Sequence, residues 1–443
     1  MHTPMGKTSG IVTPSEEFAG QIYHPTSNTK YEMVATPQEL EMRWRGQRLV
    51  LSFFIGSRHM GRSFAFLDND YLYQAPVGYY ATRHGWDMAP GYQSDKEPYL
   101  DRPITRDCLY CHASGARFAD GTSNRILNLA ELHGVNCERC HGNGDEHAAR
   151  PSRDNIVNPR RLSGAVRDSV CEQCHLSGQA RFPLPGKSLD DFRPGQQLSD
   201  YLAVFIAATA PQGIRVNSHA EALGRSRCRQ AGLWCGTCHN PHQSTASFRE
   251  KCLSCHGPDQ CPSPARNKED CTQCHMPKAR AYDGGHTVFT DHSIPRRALS
   301  QPVLRANGGV AAELAPYFHR ELPPGVAARN LGLAYARIAD EFNLPDVAKR
   351  AWPLLVNAAQ SNVRDPLLYT EMAYLLQTDG RFEQAIELYE LSLKTDPNQD
   401  VALVNVGELL YRRGDKDEAR RMWRRALILN PRQPSVRLAL ARP

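Results

Sequence analysis

The chain has 443 residues, with 53 Lys and Arg against 47 Asp and Glu, a formal net charge of +6, and 41% apolar residues. That length allows two or three domains of roughly 100–200 residues each, the composition is neither collagen-like nor disordered, and the small basic excess makes no case for nucleic acid. The 14 cysteines are far more than packing requires.

No charged stem followed by an apolar stretch opens the sequence, so MHTPMGKTSG does not read as a secretory leader. Residues 1–30, with their Pro, Thr and Ser, are expected to be a loose N-terminal segment. Residues 31–100 are expected to be a small β-containing region. From Arg48 to Tyr80 the pattern alternates and is aromatic (LVLSFFIG, then RSFAFLDNDYLYQAPVGYY), with Asp68-Asn69-Asp70 as a hairpin turn.

Residues 101–320 carry one motif six times: Cys108-Leu-Tyr-Cys111-His112, Cys137-Glu-Arg-Cys140-His141, Cys171-Glu-Gln-Cys174-His175, Cys235-Gly-Thr-Cys238-His239, Cys252-Leu-Ser-Cys255-His256 and Cys271-Thr-Gln-Cys274-His275. Each is C-x-x-C-H, the attachment signature of haem c. Two thiols at this spacing form thioethers with the two vinyl groups of one porphyrin, and the adjacent His supplies the proximal iron ligand. Zinc ribbons would not place a His after every pair, and a thioredoxin-type pair would occur once, within a βαβ unit. Six haem c groups are therefore expected, with little regular secondary structure around them. Their twelve propionates would turn the formal +6 into roughly −6 if all ionise, and give Arg side chains bidentate partners. The longest apolar run, Tyr201 to Ala210, is about half of a membrane-spanning length and is expected to be one helix. Cys228 and Cys261 remain outside the motifs, as a disulfide or as two thiols.

Beyond residue 320 the spacing changes. Gly380 recurs as Gly414, Ala385 as Ala419, Tyr389 as Trp423, Leu393 as Leu427 and Pro397 as Pro431, each 34 residues on. That period fits tetratricopeptide repeats. Asp365–Asn398 and Gln399–Arg432 are clear copies and 331–364 a degenerate one, giving about three repeats over 326–443. The fold expected is mainly α: an irregular multihaem c-type cytochrome domain, a small N-terminal β element and a C-terminal α-solenoid. The groove lining is assigned to Tyr369, Tyr374, Asn405, Glu408, Arg412 and Arg413, with Arg420, Arg421, Arg424 and Arg425 forming a basic surface. The repeats are expected to dock partners and to be dispensable for haem attachment.

Eleven His lie outside the motifs: His2, His24, His59, His84, His133, His147, His219, His242, His286, His292 and His319. They suffice for a second imidazole on every iron, which suits electron transfer, whereas an open sixth position suits small-molecule chemistry. Sequence context singles out His133, His147, His219, His242, His286 and His292. His147 and His242 lie too near His141 and His239 in sequence to reach over the same porphyrin, so each is assigned to a neighbouring haem. Met276 directly follows His275 and cannot reach the opposite face.

Together the strings GRSFAFLDNDYLYQAPVGYY, RPITRDCLYCH, HGVNCERCHGNGDEH, FRPGQQLSDY, NSHAEAL, CGTCHNPH, DCTQCHMPK and HTVFTDHSIPRR resemble bacterial multihaem cytochromes c related to cytochrome c-554, fused here to tetratricopeptide repeats. The resemblance runs from about Gly56 to the end. It implies a chain of bis-His haems, supports the same six distal His, and implies export to the periplasm or cell exterior, although the sequence as given opens without a leader. The expected function is electron transfer, with redox partner proteins or further copies of the chain meeting the repeats. The alternative is an oxidoreductase acting on a small nitrogen or sulfur compound at one open haem. No nucleic-acid partner and no transmembrane segment are expected.

Overall fold

The computed structural model describes residues 3–97, 99–209, 213–244, 247–257, 270–296 and 313–442. Cys261, and with it the disulfide question, lies outside the described residues, as does His2. The chain opens with β1 (Ser9–Ile11), β2 (Gly20–His24), β3 (Thr29–Ala35), β4 (Leu40–Trp44), β5 (Gln47–Leu51), β6 (Phe53–Ile55), β7 (Gly61–Asp68), β8 (Tyr71–Tyr80) and β9 (Gly85–Met88). Strands β2–β5 form one antiparallel sheet, and a second has the order β1-β6-β7-β8-β9. Alternation drives both: Tyr31 and Met33 of β3 point inward while Lys30 and Glu32 face water. The two inner faces share one apolar cluster, with Met42 and Trp44 on one side and Phe64, Phe66, Tyr73 and Trp86 on the other.

The expected hairpin turn is present. Asn69 and Asp70 both have positive φ (51° and 68°), the type I′ geometry that matches strand twist. The expected loose start is not. β1 pairs with β6, β2 pairs with β3, and Glu17 reaches in to the buried guanidinium of Arg62. Short-range composition marked this segment as a loop, but the backbone groups of β1 are satisfied by a strand more than 40 residues away and those of β2 by the neighbouring β3.

The middle of the chain holds short helices: α1 (Arg106–His112), α2 (Glu138–His141), α3 (Asp145–Ala149), α4 (Gly164–His175), α5 (His219–Gly224), α6 (Arg227–Gln230), α7 (Cys235–Cys238), α8 (Arg249–Leu253) and α9 (Thr272–His275). Between them run β10 (Ala180–Pro183), β11 (Leu202–Ala207), β12 (Lys278–Arg280), β13 (Val288–Thr290) and β14 (Leu314–Pro316). The apolar run expected to be helical is strand β11. It pairs on one side with β10 and on the other with β14, so nearly all of its residues are buried. A strand buried on both faces reads as a continuous apolar run, as a buried helix also would.

Three helical hairpins follow: α10 (Pro324–Phe342) with α11 (Pro345–Gln360), α12 (Pro366–Thr378) with α13 (Phe382–Thr395), and α14 (Asp400–Arg413) with α15 (Lys416–Leu429), then a closing helix α16 (Pro434–Leu440). Gly380 and Gly414, 34 residues apart in sequence, sit at the helix turns with φ of 78° and 105°. At Gly407 a Cβ would lie 2.4 Å from the Trp423 indole nitrogen, so only glycine lets α14 and α15 close. Among the described residues helices account for 41% and strands for 19%, so the expectation of a mainly α chain holds in part: the C-terminal region is helical, and the rest of the chain carries small sheets. Among the described residues no helix is long and apolar enough to cross a membrane.

Candidate haem centre

Each motif is folded as a helical turn. The amide of His141 donates to the carbonyl of Cys137, His239 to Cys235, His256 to Cys252 and His275 to Cys271, all at 2.9–3.0 Å. Residues at i, i+3 and i+4 share one helix face, so this turn presents both thiols and the imidazole together. Asp270 ties two turns to each other. Its carboxylate accepts from the amide of Thr272, within the sixth motif, and from that of Phe248, four residues ahead of the fifth.

All six motif imidazoles, and every motif thiol except Cys108, line a continuous cavity of about 3440 Å³. A pocket for one ligand measures about 300–1,000 Å³, so several fit side by side. Thiols of different motifs meet within it: Cys111 with Cys174, Cys171 with Cys235, and Cys252 with Cys271. The Nδ1 of His219 is buried there with no hydrogen-bond partner. Among the described residues no three His, Cys, Asp or Glu side chains converge as a bare metal site requires. Paired thiols, imidazoles and a large apolar cavity fit covalently attached haem.

Imidazole pairs are the most informative geometry. Two imidazoles trans across an iron, each about 2 Å from it through one nitrogen, have centroids roughly 6 Å apart. His141 and His242 stand 5.9 Å apart and 11° from parallel. His239 and His292 stand 6.1 Å apart at 27°, and His175 and His219 stand 5.4 Å apart with rings crossed at 86°. In each pair a motif His faces a non-motif His from another part of the chain. Nδ1 of His141 bonds the Val157 carbonyl at 2.7 Å, Nδ1 of His275 the Pro295 carbonyl at 2.9 Å, and Nδ1 of His292 the Thr290 carbonyl at 2.9 Å. Such bonds fix the tautomer and leave Nε2 for a metal. Burial, then the charges of His175, His292 and His239, pushes His219 down to about 3, and burial also lowers His175, His239 and His292. These rings are neutral at neutral pH, with a lone pair free for coordination.

The other three candidate ligands lie outside the cavity. His133 is exposed, with its backbone bridged to Ser114. His147 is half-buried, and its Nδ1 is within 3.0 Å of the Ser152 carbonyl and 3.1 Å of Asn155. His286 sits at the seam with β8 and β9. Its Nε2 lies near Asp87 (2.9 Å) and Arg83 (3.0 Å), its Nδ1 near Arg280 (2.9 Å), and its ring edge against Tyr80. His24 has both ring nitrogens bonded, to Ser27 and the Gln93 carbonyl.

Sequence reasoning passed over the second variable residue of the first three motifs. Tyr110 donates to Gln173 at 2.8 Å, the Arg139 guanidinium lies 4.0 Å over the Tyr110 ring, and Gln173 donates to the Arg139 carbonyl at 3.0 Å. These three residues lock the three motif turns to one another. Their common place within C-x-x-C-H was the only sequence signal. In the repeats, Tyr369 is buried, Tyr374 donates to Asp340, Asn405 donates to Tyr389, and Glu408 binds Arg412 and Arg442. Arg413 is paired with Glu383 and Asp415. In the basic surface, Arg420 and Arg421 pair with Asp417 and Glu418, while Arg425 bonds the Pro397 carbonyl.

The comparisons agree with this class of centre. Residues 83–142 match the family described as cytochrome c554 and c-prime, and residues 376–442 match the tetratricopeptide repeat. Both matches cover minor parts of the chain. The multiheme cytochrome MtrA of Shewanella baltica (strain OS185) is 25% identical over 184 residues, 34% of this chain and 51% of that protein. The photosystem I assembly protein Ycf3 of Prochlorococcus marinus (strain NATL1A) is 35% identical over 78 residues, 17% of this chain and 45% of that protein. The chain thus spans about half the length of the curated relatives it matches. Among solved structures, the Arabidopsis OM64 TPR domain aligns with 26% of this chain and 93% of its own at 18% identity, with a TM-score of 0.24. A multiheme c-type cytochrome segment joined to tetratricopeptide repeats is what these matches describe.

Proposed function

We propose that this chain carries electrons through six covalently bound haem c groups, most or all with two imidazole ligands, in an exported protein whose repeats meet protein partners. The observation that carries this reading is the set of facing imidazoles, His141 with His242, His239 with His292 and His175 with His219, inside one cavity. Haem c, when bound, supplies a reversible one-electron iron couple.

The chain's own residues hold, orient and insulate. Cys108 and Cys111, Cys137 and Cys140, Cys171 and Cys174, Cys235 and Cys238, Cys252 and Cys255, and Cys271 and Cys274 form the thioethers. His112, His141, His175, His239, His256 and His275 give the proximal nitrogens. His242, His219 and His292 would supply the second imidazole to the haems of the second, third and fourth motifs, and His133 and His147 are the remaining candidates, because both ring nitrogens of His286 are taken up by Asp87, Arg83 and Arg280. Carbonyls of Val157, Pro295 and Thr290 hold the rings of His141, His275 and His292. Thiols of different motifs in contact bring neighbouring attachment points together, as short transfer distances require.

Mass spectrometry of protein matured in a haem c-competent host tests the count: polypeptide plus six haems supports the reading, and five or fewer overturns it. Low-spin spectra without carbon monoxide binding after reduction support bis-imidazole ligation. A high-spin component that binds carbon monoxide would instead favour chemistry on a small nitrogen or sulfur compound at an open site.

A further inference from the structure

Helix α4 carries a buried acid that haem attachment does not use. Glu172 is 7% exposed, and its Oε1 accepts a 2.7 Å hydrogen bond from the hydroxyl of Tyr317, which follows β14. Asp168, one turn earlier on the same face and 6% exposed, takes the guanidinium of Arg229 from α6 and lies 3.4 Å from Arg167. Both nearby guanidiniums are thus committed to Asp168, and Glu172 has a phenol rather than a cation as its partner. Asp168, Arg229, Tyr317 and the Cys235 thiol of α7 are the titratable and charged groups that face it. The neighbouring Cys171 meets Cys235, so Glu172 stands between the attachment points of the third and fourth motifs.

We propose that Glu172 is a proton-binding site coupled to electron arrival, an inference that rests on the electron-transfer reading above. When a one-electron donor protein delivers an electron at the third or fourth motif, the Glu172 carboxylate takes one proton from solvent. When the electron passes to a one-electron acceptor, the proton returns. Added negative charge close to a buried carboxylate favours its protonated form, and little water is present to screen the interaction. Burial, with Asp168 adding to it, already places the Glu172 carboxyl at about 7, so a change in nearby charge moves it across neutral pH.

The test is a redox titration of the fully matured protein at a series of pH values, followed at the haem absorbance, with proton uptake measured on reduction in weakly buffered solution. In the wild type at least one midpoint potential falls as pH rises through neutrality. In Glu172→Gln that dependence disappears and reduction takes up about one proton fewer, with haem count and spin state unchanged. Glu172→Asp retains a dependence at a displaced pH, and Tyr317→Phe moves it upward by removing a bond to the carboxylate. An unaltered pH dependence and proton count in Glu172→Gln overturn the proposal. A wild-type haem count below six would instead fail the electron-transfer reading, and mass spectrometry reads that separately.

Discussion

The hydroxyl of Tyr73 donates to Asn430 at 2.8 Å, joining residues 357 positions apart. Around this bond, Tyr71 donates to the Ile428 carbonyl at 2.9 Å, Arg432 pairs with Asp68 at 2.7 Å, and the Ser123 amide donates to the Leu429 carbonyl at 2.9 Å. The far end of the repeats is therefore stitched to the β7–β8 hairpin. Their near end packs Ala334 of α10 against Ala180, Leu184, Ala203 and Phe205 around β10 and β11. The repeats span the haem region and are held at both ends, where the sequence suggested a separable arm.

Deleting the chain after residue 326 should consequently destabilise the haem region, because it uncovers the apolar face around β11 and removes the stitch to the hairpin. The yield of fully attached haem and the thermal midpoint should both fall. Asn430→Ala alone should cost about 1–2 kcal/mol, by taking away the acceptor of the buried Tyr73 hydroxyl, which keeps only the Arg432 amide as a donor to it. A truncated protein with an unchanged midpoint would show that these contacts carry no stability.

Arg329 is fully buried and donates through Nε (3.0 Å) and Nη2 (2.7 Å) to Asp365, which also caps α12 at the Leu368 amide. Removing one partner of such a pair strands the other, at a cost of about 3–5 kcal/mol. Asp365→Ala should therefore lower the urea midpoint more than any single change on the exposed Arg421 surface. Equal effects would mean that Arg329 finds another partner.

Glu371 of α12 gives the repeats a pH dependence. Burial, then the nearby Asp340, raises its carboxyl to about 7, opposed by Arg337. The folded chain holds this proton more tightly than the unfolded chain. Its contribution is thus fully present below the ordinary carboxyl range and is lost as pH rises through about 7. The loss should be on the order of 3 kcal/mol, and Glu371→Gln should remove that slope. Denaturant midpoints from acid to mildly alkaline pH measure it, and parallel curves for the two proteins would contradict the assignment.

His242→Ala should convert one haem, that on His141, to a high-spin form that binds carbon monoxide after reduction, leaving the rest low-spin. His286→Ala provides the contrast. Its ring contacts Arg83, Asp87 and Arg280, so the expected effect is a loosened seam between the β region and the haem region, with no new high-spin signal. A high-spin signal from His286→Ala would mark it as a ligand.

The amino-acid sequence by itself determined what depends on neighbours within a few residues. C-x-x-C-H closes one helical turn wherever it stands, the 34-residue spacing sets turn glycines and helix-crossing residues, and Asn69-Asp70 selects its own hairpin turn. Tertiary structure decided what depends on partners far along the chain. The run at 202–207 became a strand because β10 and β14 supply its hydrogen bonds, although its composition suits a helix equally. The same holds for His242 facing His141, Tyr110 meeting Gln173, and residues 9–11 joining β6. Spacing fixes which side chains share a face. Only the folding back of the whole chain fixes what that face meets.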